Sequence, residues 1–225
     1  MPAYSVLVVT NLWPTEADPS FGSFVKAQME SLRPLGVDYD LVFVNGRERR
    51  WNYWRGIWQV RRQVRRKRYD LIHAHFGLSG WMARCQFRVP LVVSFMGDDV
   101  LGHPTRRGGL TPGGHLLRLS GFILARLVRA VIVKSRQMAS VLRLPSAHVI
   151  PNGVDLNLFR PMEQSAAREL LALDKDKKFV LYPYNPKEVR KRFDLVQQAV
   201  TLARAQVPNL EILMARGLPQ QQVPL

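Results

Sequence analysis

The sequence predicts an α/β protein: a Rossmann-like, doubly wound parallel sheet followed by an incomplete second β-α-β unit. Three observations carry this. Short apolar runs alternate with segments of helical period along the chain. Nearly every run is continuous rather than alternating, as strands covered on both faces must be. The alternation then stops in a polar stretch at residues 156–177 and restarts after it.

Each element follows in order. SVLVVT (5–10) is the first strand, and a loop with Pro14, Asp18, Pro19 and Gly22 comes next. Val25, Met29 and Leu32 then share one helical stripe, ended by Pro34 and Gly36. YDLVFV (39–44), YDLIHAHF (69–76) and PLVVSFMG (90–97) are the next strands, with a helix beginning near Leu78. Residues 115–129 read as helix, AVIVKS (130–135) as strand and Arg136 to Leu142 as a short helix. Val149 and Ile150 end the last strand of this series. Pro151, Asn152 and Gly153 follow as a turn that tolerates positive φ, and Asp155 can cap the short segment after it. After a short helix at Ala166–Leu173, FVLYPY (179–184), a helix over Phe193 to Ala205 and LEILMA (210–215) form the restart. The expected division is 1–155, a linker at 156–177, and 178–225, the last about a third of a domain of typical size, ~150 residues.

Composition narrows the function classes. Lys plus Arg number 33 against 17 Asp plus Glu, a formal charge of +16, and apolar content is 47%. A globular protein with that field attracts anions, whether nucleic acid, anionic lipid or phosphorylated substrates, without choosing among them. Cys85 is the only cysteine, which excludes an intrachain disulfide and suggests a reducing cytoplasm. No basic segment precedes the first apolar run, so no signal peptide is expected. The run LSGFILARLVRAVIVKS is cut by Arg126 and Arg129 short of a membrane span. A cytoplasmic protein is expected, with peripheral attachment to the inner face of the plasma membrane left open.

Several stretches can carry chemistry. His73 and His75 are two apart on a strand and share a face, His75 lying near the carboxyl end where open sheets place ligands. The alternative is a histidine that anchors a loop. No Cys, His or carboxylate cluster supplies further metal ligands, so no metal is expected. After the next strand, Asp98 and Asp99 either reach the cleft or cap the following helix. Gly22 and Ser23 stand where a helix N-terminus can offer backbone N–H groups to phosphate. Arg190 and Lys191 lie in the basic segment PKEVRKR (186–192).

Residues 47–68 hold ten basic side chains and one acid, Glu48, with Trp51, Trp54 and Trp58 interleaved. Read as an interfacial helix, this segment binds anionic membranes or lipid-linked acceptors through the tryptophans and Arg61, Arg62, Arg65 and Arg66. Read plainly, it is a solvated helix whose tryptophans pack on the sheet. No recognition motif accompanies the charge, so nucleic acid is not the expected partner.

The motifs resemble those of family 4 glycosyltransferases, which have the GT-B fold. PNGVD followed by Phe159 and Pro161 looks like the loop closing that family's N-terminal domain, with Asn152, Gly153 and Asp155 at the interdomain turn. YDLIHAHFGLSG is similar to the family's Asp-hydrophobic-hydrophobic-His-Ala-His strand, and PLVVSFMGDDV sits where it commonly has His-Gly-Ser-Asp, with Met96 in place of the His. YNPKEVRKRFDLVQQAV resembles the start of the C-terminal domain. There Lys191 matches the family's diphosphate-binding Lys, and Arg190 stands in for an Arg missing at Tyr184 or Asn185.

The resemblance implies a retaining, metal-independent transfer of sugar from a nucleotide-diphosphate donor to a glycan or lipid-linked acceptor, as in polysaccharide or glycolipid assembly. It needs no cofactor. It puts His75, Asp98 and Asp99 at the reacting centre and Gly22, Ser23, Arg190 and Lys191 against the diphosphate. The family's Glu-x7-Glu segment has no match after Met214, so the chain is expected to be truncated and to have little activity alone. The alternative is a non-catalytic module, derived from the N-domain, that docks to a membrane or a partner.

Overall fold

A computed structural model describes residues 4–46, 48–49, 51–105 and 108–214. Arg47 and Arg50 of the basic run, and the segment after Met214, lie outside the described residues. The chain divides into two compact units. One comprises the segments up to Thr15, Phe21–Pro104 and Gly109–Gly153; the other comprises Glu16–Ser20, Thr105–Gly108 and Val154 onward.

The first unit is built on six parallel strands: β1 (Tyr4–Thr10), β2 (Val37–Phe43), β3 (Leu71–His75), β4 (Leu91–Ser94), β5 (Ala130–Val133) and β6 (His148–Val149). Their order is β2-β1-β3-β4-β5-β6, so the winding reverses between β1 and β3. Continuous apolar runs become strands covered on both sides: Val6, Leu7, Val8 and Val9 are all buried. Leu7 and Val9 belong to the larger core, with Val42, Ile72, Ala74 and Val93. Val6 and Val8 join Met29 on the opposite face, under α1 (Ser23–Leu32).

The larger core is closed by a layer of three helices, α2 (Asn52–Arg66), α3 (Gly77–Arg84) and α5 (Pro112–Ala125). Gly56 sets how closely α2 packs, because a Cβ there would lie 2.5 Å from Met82 Sδ and 2.7 Å from Val44 Cγ2. Val60 is fully buried on the same face of α2, with Tyr53, Ile57 and Val64 packed beside it. The tryptophans therefore do not pack on the sheet: Trp51, Trp54 and Trp58 are 69%, 62% and 68% exposed. Two short helices, α4 (Asp98–Leu101) and α6 (Arg136–Leu142), complete the unit.

Helix starts follow local chemistry. Helix α5 begins three residues earlier than its apolar period suggests, because Thr111 accepts from Gly114 N and Pro112 occupies the first turn. Ser135 caps α6 by accepting from Met138 N. The expected Pro-Asn-Gly turn does not form. Neither Asn152 nor Gly153 has positive φ, and residues 150–155 run without a turn. Ile150 N still donates to Val133 O at 2.9 Å. An Asn-Gly turn forms where a strand returns antiparallel to its neighbour, and this sheet is parallel throughout. Asp155 does cap the next turn, its Oδ1 accepting from Asn157 N at 2.9 Å.

The second unit contains α7 (Gln164–Leu170), β7 (Lys178–Tyr182), α8 (Phe193–Ala203) and β8 (Leu210–Met214). Strands β7 and β8 pair in parallel, with Lys178 opposite Leu210.

Candidate functional site

Parallel strands present their carboxyl ends along one edge, and in an open sheet the crevice there opens where the winding reverses. In the first unit that point lies between β1 and β3. Thr10 ends β1, His75 ends β3 and Ser94 ends β4; Thr10 pairs with His75 and His75 with Ser94 in the ladder. One polar row thus crosses three neighbouring strands, and all three side chains are fully buried.

His73 lies one step back on the same face. Its Nε2 is 2.8 Å from Ser94 Oγ, and its ring centroid is 4.1 Å from that of His75. Burial, reinforced by the nearby Lys134 ammonium, pushes His73 down to about 4. Burial also holds His75 well below the usual imidazole range, with His73 and Lys134 acting in the same sense. Both rings are neutral at pH 7, and among the described residues neither ring nitrogen of His75 has a hydrogen-bond partner. A buried imidazole in that state costs stability, about 1–3 kcal/mol for an unmatched polar group.

Asp99 occupies the next loop. Its Oδ1 accepts from Met96 N at 3.0 Å and Gly97 N at 2.9 Å, and its Oδ2 accepts from Gly77 N at 2.9 Å. The carboxyl is fully buried; burial lifts it to about 6, against the pull of those amides. Asp99 does not cap the helix that follows, whose N-cap Gly97 has no side-chain cap; instead the side chain clamps the start of α3 to the turn before α4. Asp98 is partly exposed, with Oδ2 3.2 Å from His103 Nδ1.

Gly22 has φ 69° and begins α1, with Ser23 the first helical residue. A Cβ on Gly22 would stand 2.2 Å from the Leu12 carbonyl carbon and 2.4 Å from Trp13 N. The glycine is therefore required by the chain leaving β1. Gly22→Ala should lower stability by about 2 kcal/mol, read as a shift in urea midpoint at unchanged slope.

The family follows from comparison. The model of glycosyltransferase family 4 matches residues 3–158, more than half of the chain. This chain belongs to glycosyltransferase family 4. Among curated relatives, a D-inositol 3-phosphate glycosyltransferase of Mycolicibacterium paratuberculosis is 30% identical over 158 residues, 66% of this chain and 35% of the relative. One of the same description from Thermobispora bispora is 29% identical over 153 residues, 64% of this chain and 35% of the relative. The matched stretch is thus about a third of those relatives' length. Among solved structures, sucrose-phosphate synthase from Thermosynechococcus elongatus superposes with a TM-score of 0.72 at 20% identity, covering 93% of this chain and 61% of that one. That likeness shows the GT-B type of α/β fold.

Of the other candidate residues of the family 4 chain, Asp155, Arg190 and Lys191 belong to the second unit and the rest to the first. On the turn after β7, Arg190 Nη2 is 2.9 Å from Glu188 Oε1, and Lys191 Nζ sits 3.6 Å from the centroid of Tyr184. Tyr182 OH donates to Lys191 O at 3.3 Å, holding the turn against the strand. Asn152 and Gly153 are exposed beyond β6. Arg61, Arg62, Arg65 and Arg66 are exposed on α2.

Thr10, Ser94 and Lys134 are the residues that the sequence reading passed over. A usable signal existed, since each is the first polar side chain after an apolar strand run: SVLVV, LVV and AVIV. Among the described residues, no three His, Cys, Asp or Glu side chains are grouped to hold a metal ion.

Proposed function

We propose that this family 4 chain forms the acceptor side and the opening of the donor side of a glycosyltransferase that uses a nucleotide-diphosphate sugar. Membership of the family over residues 3–158 is the observation that carries the reading. The buried Thr10–His75–Ser94 row, at the point where the winding reverses, supports it. In this reading the acceptor lies over the carboxyl edge of the first sheet. Departure of the diphosphate develops negative charge, and fixed cations stabilise such charge without a proton step. Arg190 and Lys191 have the charge for that task. Each is held against a neighbour that a diphosphate would displace, Glu188 for Arg190 and the Tyr184 ring for Lys191. Retention of configuration, independence of metal and a role in polysaccharide or glycolipid assembly complete the proposal, on the strength of the family resemblance.

Calorimetric titration with UDP- and GDP-sugars tests it, with and without inositol 3-phosphate, the compound in the relatives' names. Binding of one donor is expected, unchanged by EDTA and weakened about tenfold or more when Arg190 and Lys191 are both changed to Ala. Absence of donor and acceptor binding would overturn the reading in favour of a non-catalytic module. Binding unaffected by the double variant would remove those two residues from the diphosphate site.

A further inference from the structure

We propose that the outer surface of the α2–α3–α5 layer docks on an anionic lipid bilayer. The proposal is independent of the sugar-transfer reading and rests on four observations within the first unit.

Helix α2 has two stripes. Gly56, Val60 and their neighbours face the core, so the outward stripe is the one at positions 51, 54 and 58, continued by Arg61, Arg62 and Arg65. Three exposed tryptophans at helical spacing, running into three exposed arginines, make a face that is apolar at one end and cationic at the other. Arg61 reaches back over the Trp58 ring, 5.9 Å from its centroid.

That face does not stop at α2. Phe87, just beyond α3, is 81% exposed, with the Arg84 guanidinium 4.5 Å from its ring centroid. The segment carrying Phe87 and Arg88 forms one groove with Arg61, Val64 and Arg65 of α2. On its other side, Arg84 Nε donates to Leu127 O at 2.9 Å, just past the end of α5. Leu127 is the last of four exposed apolar side chains, after Leu116, Leu119 and Ile123, spaced to share one side of α5. The route from Trp51 to Leu116 is therefore an interleaving of apolar and arginine side chains.

Charge selects the partner. None of α2, α3 and α5 contains an Asp or Glu, and no acid occurs between Asp99 and Asp155. A second copy meeting this face by two-fold symmetry would set arginine against arginine with no counter-charge. A nucleic acid would satisfy the arginines and leave the Leu116–Leu127 side and the tryptophans in water. A bilayer with anionic headgroups takes both, the phosphates meeting the guanidiniums and the aromatic and leucine side chains entering the interface. Attachment would be peripheral, since among the described residues no helix is long and apolar enough to cross a membrane.

The test is co-sedimentation of the purified chain with vesicles of phosphatidylcholine alone or mixed with phosphatidylglycerol. Two variants accompany it: Arg61, Arg62, Arg65 and Arg66 all changed to Gln, and Leu116→Ser with Leu119→Ser and Ile123→Ser. Circular dichroism confirms that each variant is folded, and Trp54→Ala with Trp58→Ala provides a second apolar variant should the serine one unfold. Binding to the mixed vesicles is expected, with tryptophan emission shifted to the blue. Partition should fall about tenfold or more in the arginine variant and comparably in either apolar variant. Three results would each overturn the proposal: no binding to the mixed vesicles; binding that the apolar variants leave unchanged; or concentration-dependent dimerisation that the same substitutions abolish while vesicles stay unbound. A DNA duplex retained through the arginines alone, with vesicles unbound, would reassign the face to nucleic acid.

Discussion

Asp99→Ala should remove a large share of the first unit's stability at room temperature. Three backbone donors, Met96 N, Gly97 N and Gly77 N, converge on this one fully buried carboxylate; the Gly77 bond is buried and the other two are partly buried. Leaving a buried donor unmatched costs about 1–3 kcal/mol, so losing one buried and two partly buried partners removes about 3–6 kcal/mol. That is comparable with the whole stability of an ordinary domain, about 5–15 kcal/mol. Asp99→Asn should be intermediate. Its amide oxygen can keep Met96 and Gly97, but its NH₂ group then faces the Gly77 N–H, so about 1–3 kcal/mol is lost. Urea unfolding at pH 7, followed by far-ultraviolet circular dichroism, ranks the three proteins. An Asp99→Ala protein within about 1 kcal/mol of the parent would show that the clamp does not hold this loop.

The chain should also lose stability on mild acidification, earlier than surface carboxylates would cause. His73 titrates at about 4 when folded against 6.5 in the free side chain, and His75 is depressed in the same direction. Between those values the unfolded chain binds protons that the folded chain refuses. The stabilisation is complete above pH 6.5 and is lost as the pH falls toward 4. His73 alone accounts for about 2 kcal/mol between pH 6.5 and pH 5.

Asp99 acts in the opposite sense. Its folded value of about 6 lies above 3.8, so its contribution is present below 3.8 and lost as the pH rises through 6. On acidification it offsets about one imidazole. With His75 depressed in the same sense as His73, a net loss of stability from pH 7 to pH 5 is expected from urea unfolding at the two pH values. In a His73→Gln, His75→Leu protein only Asp99 remains of the three, and its stability should rise by about 1 kcal/mol over the same interval. Proton NMR of the parent's imidazoles checks the cause without a substitution: both rings should stay neutral at pH 5. A ring that titrates near 6.5 would refute the burial on which the prediction rests.

The α/β class and the strand positions could be read from the sequence because the information is local. Runs such as VLVV (6–9) and AVIV are apolar at every position, as strands between two layers are, and that pattern needs no partner to be recognised. The stop at Pro34 and Gly36 is local in the same way. What depended on distant residues was not legible. Asn152-Gly153 carries turn chemistry in any context, yet no antiparallel strand follows to make use of it. Asp99 was read as either a cleft carboxylate or a cap of the helix after it, whereas its side chain reaches Gly77, twenty-two positions earlier.

Helix α2 shows the division most plainly. Its period defines two stripes, and by composition the tryptophans compete well for the inside. Gly56 decides the matter, because only the glycine face can approach Met82 and Val44 closely enough to fill the layer. The class of fold, the family and the presence of a basic, tryptophan-bearing helix are all written in local sequence patterns. The tertiary structure alone decided which side of that helix meets water, and that His75 is sealed between Thr10 and Ser94 where the winding reverses. Both outcomes depend on which strands and helices become neighbours, and that is settled by packing across the whole sheet.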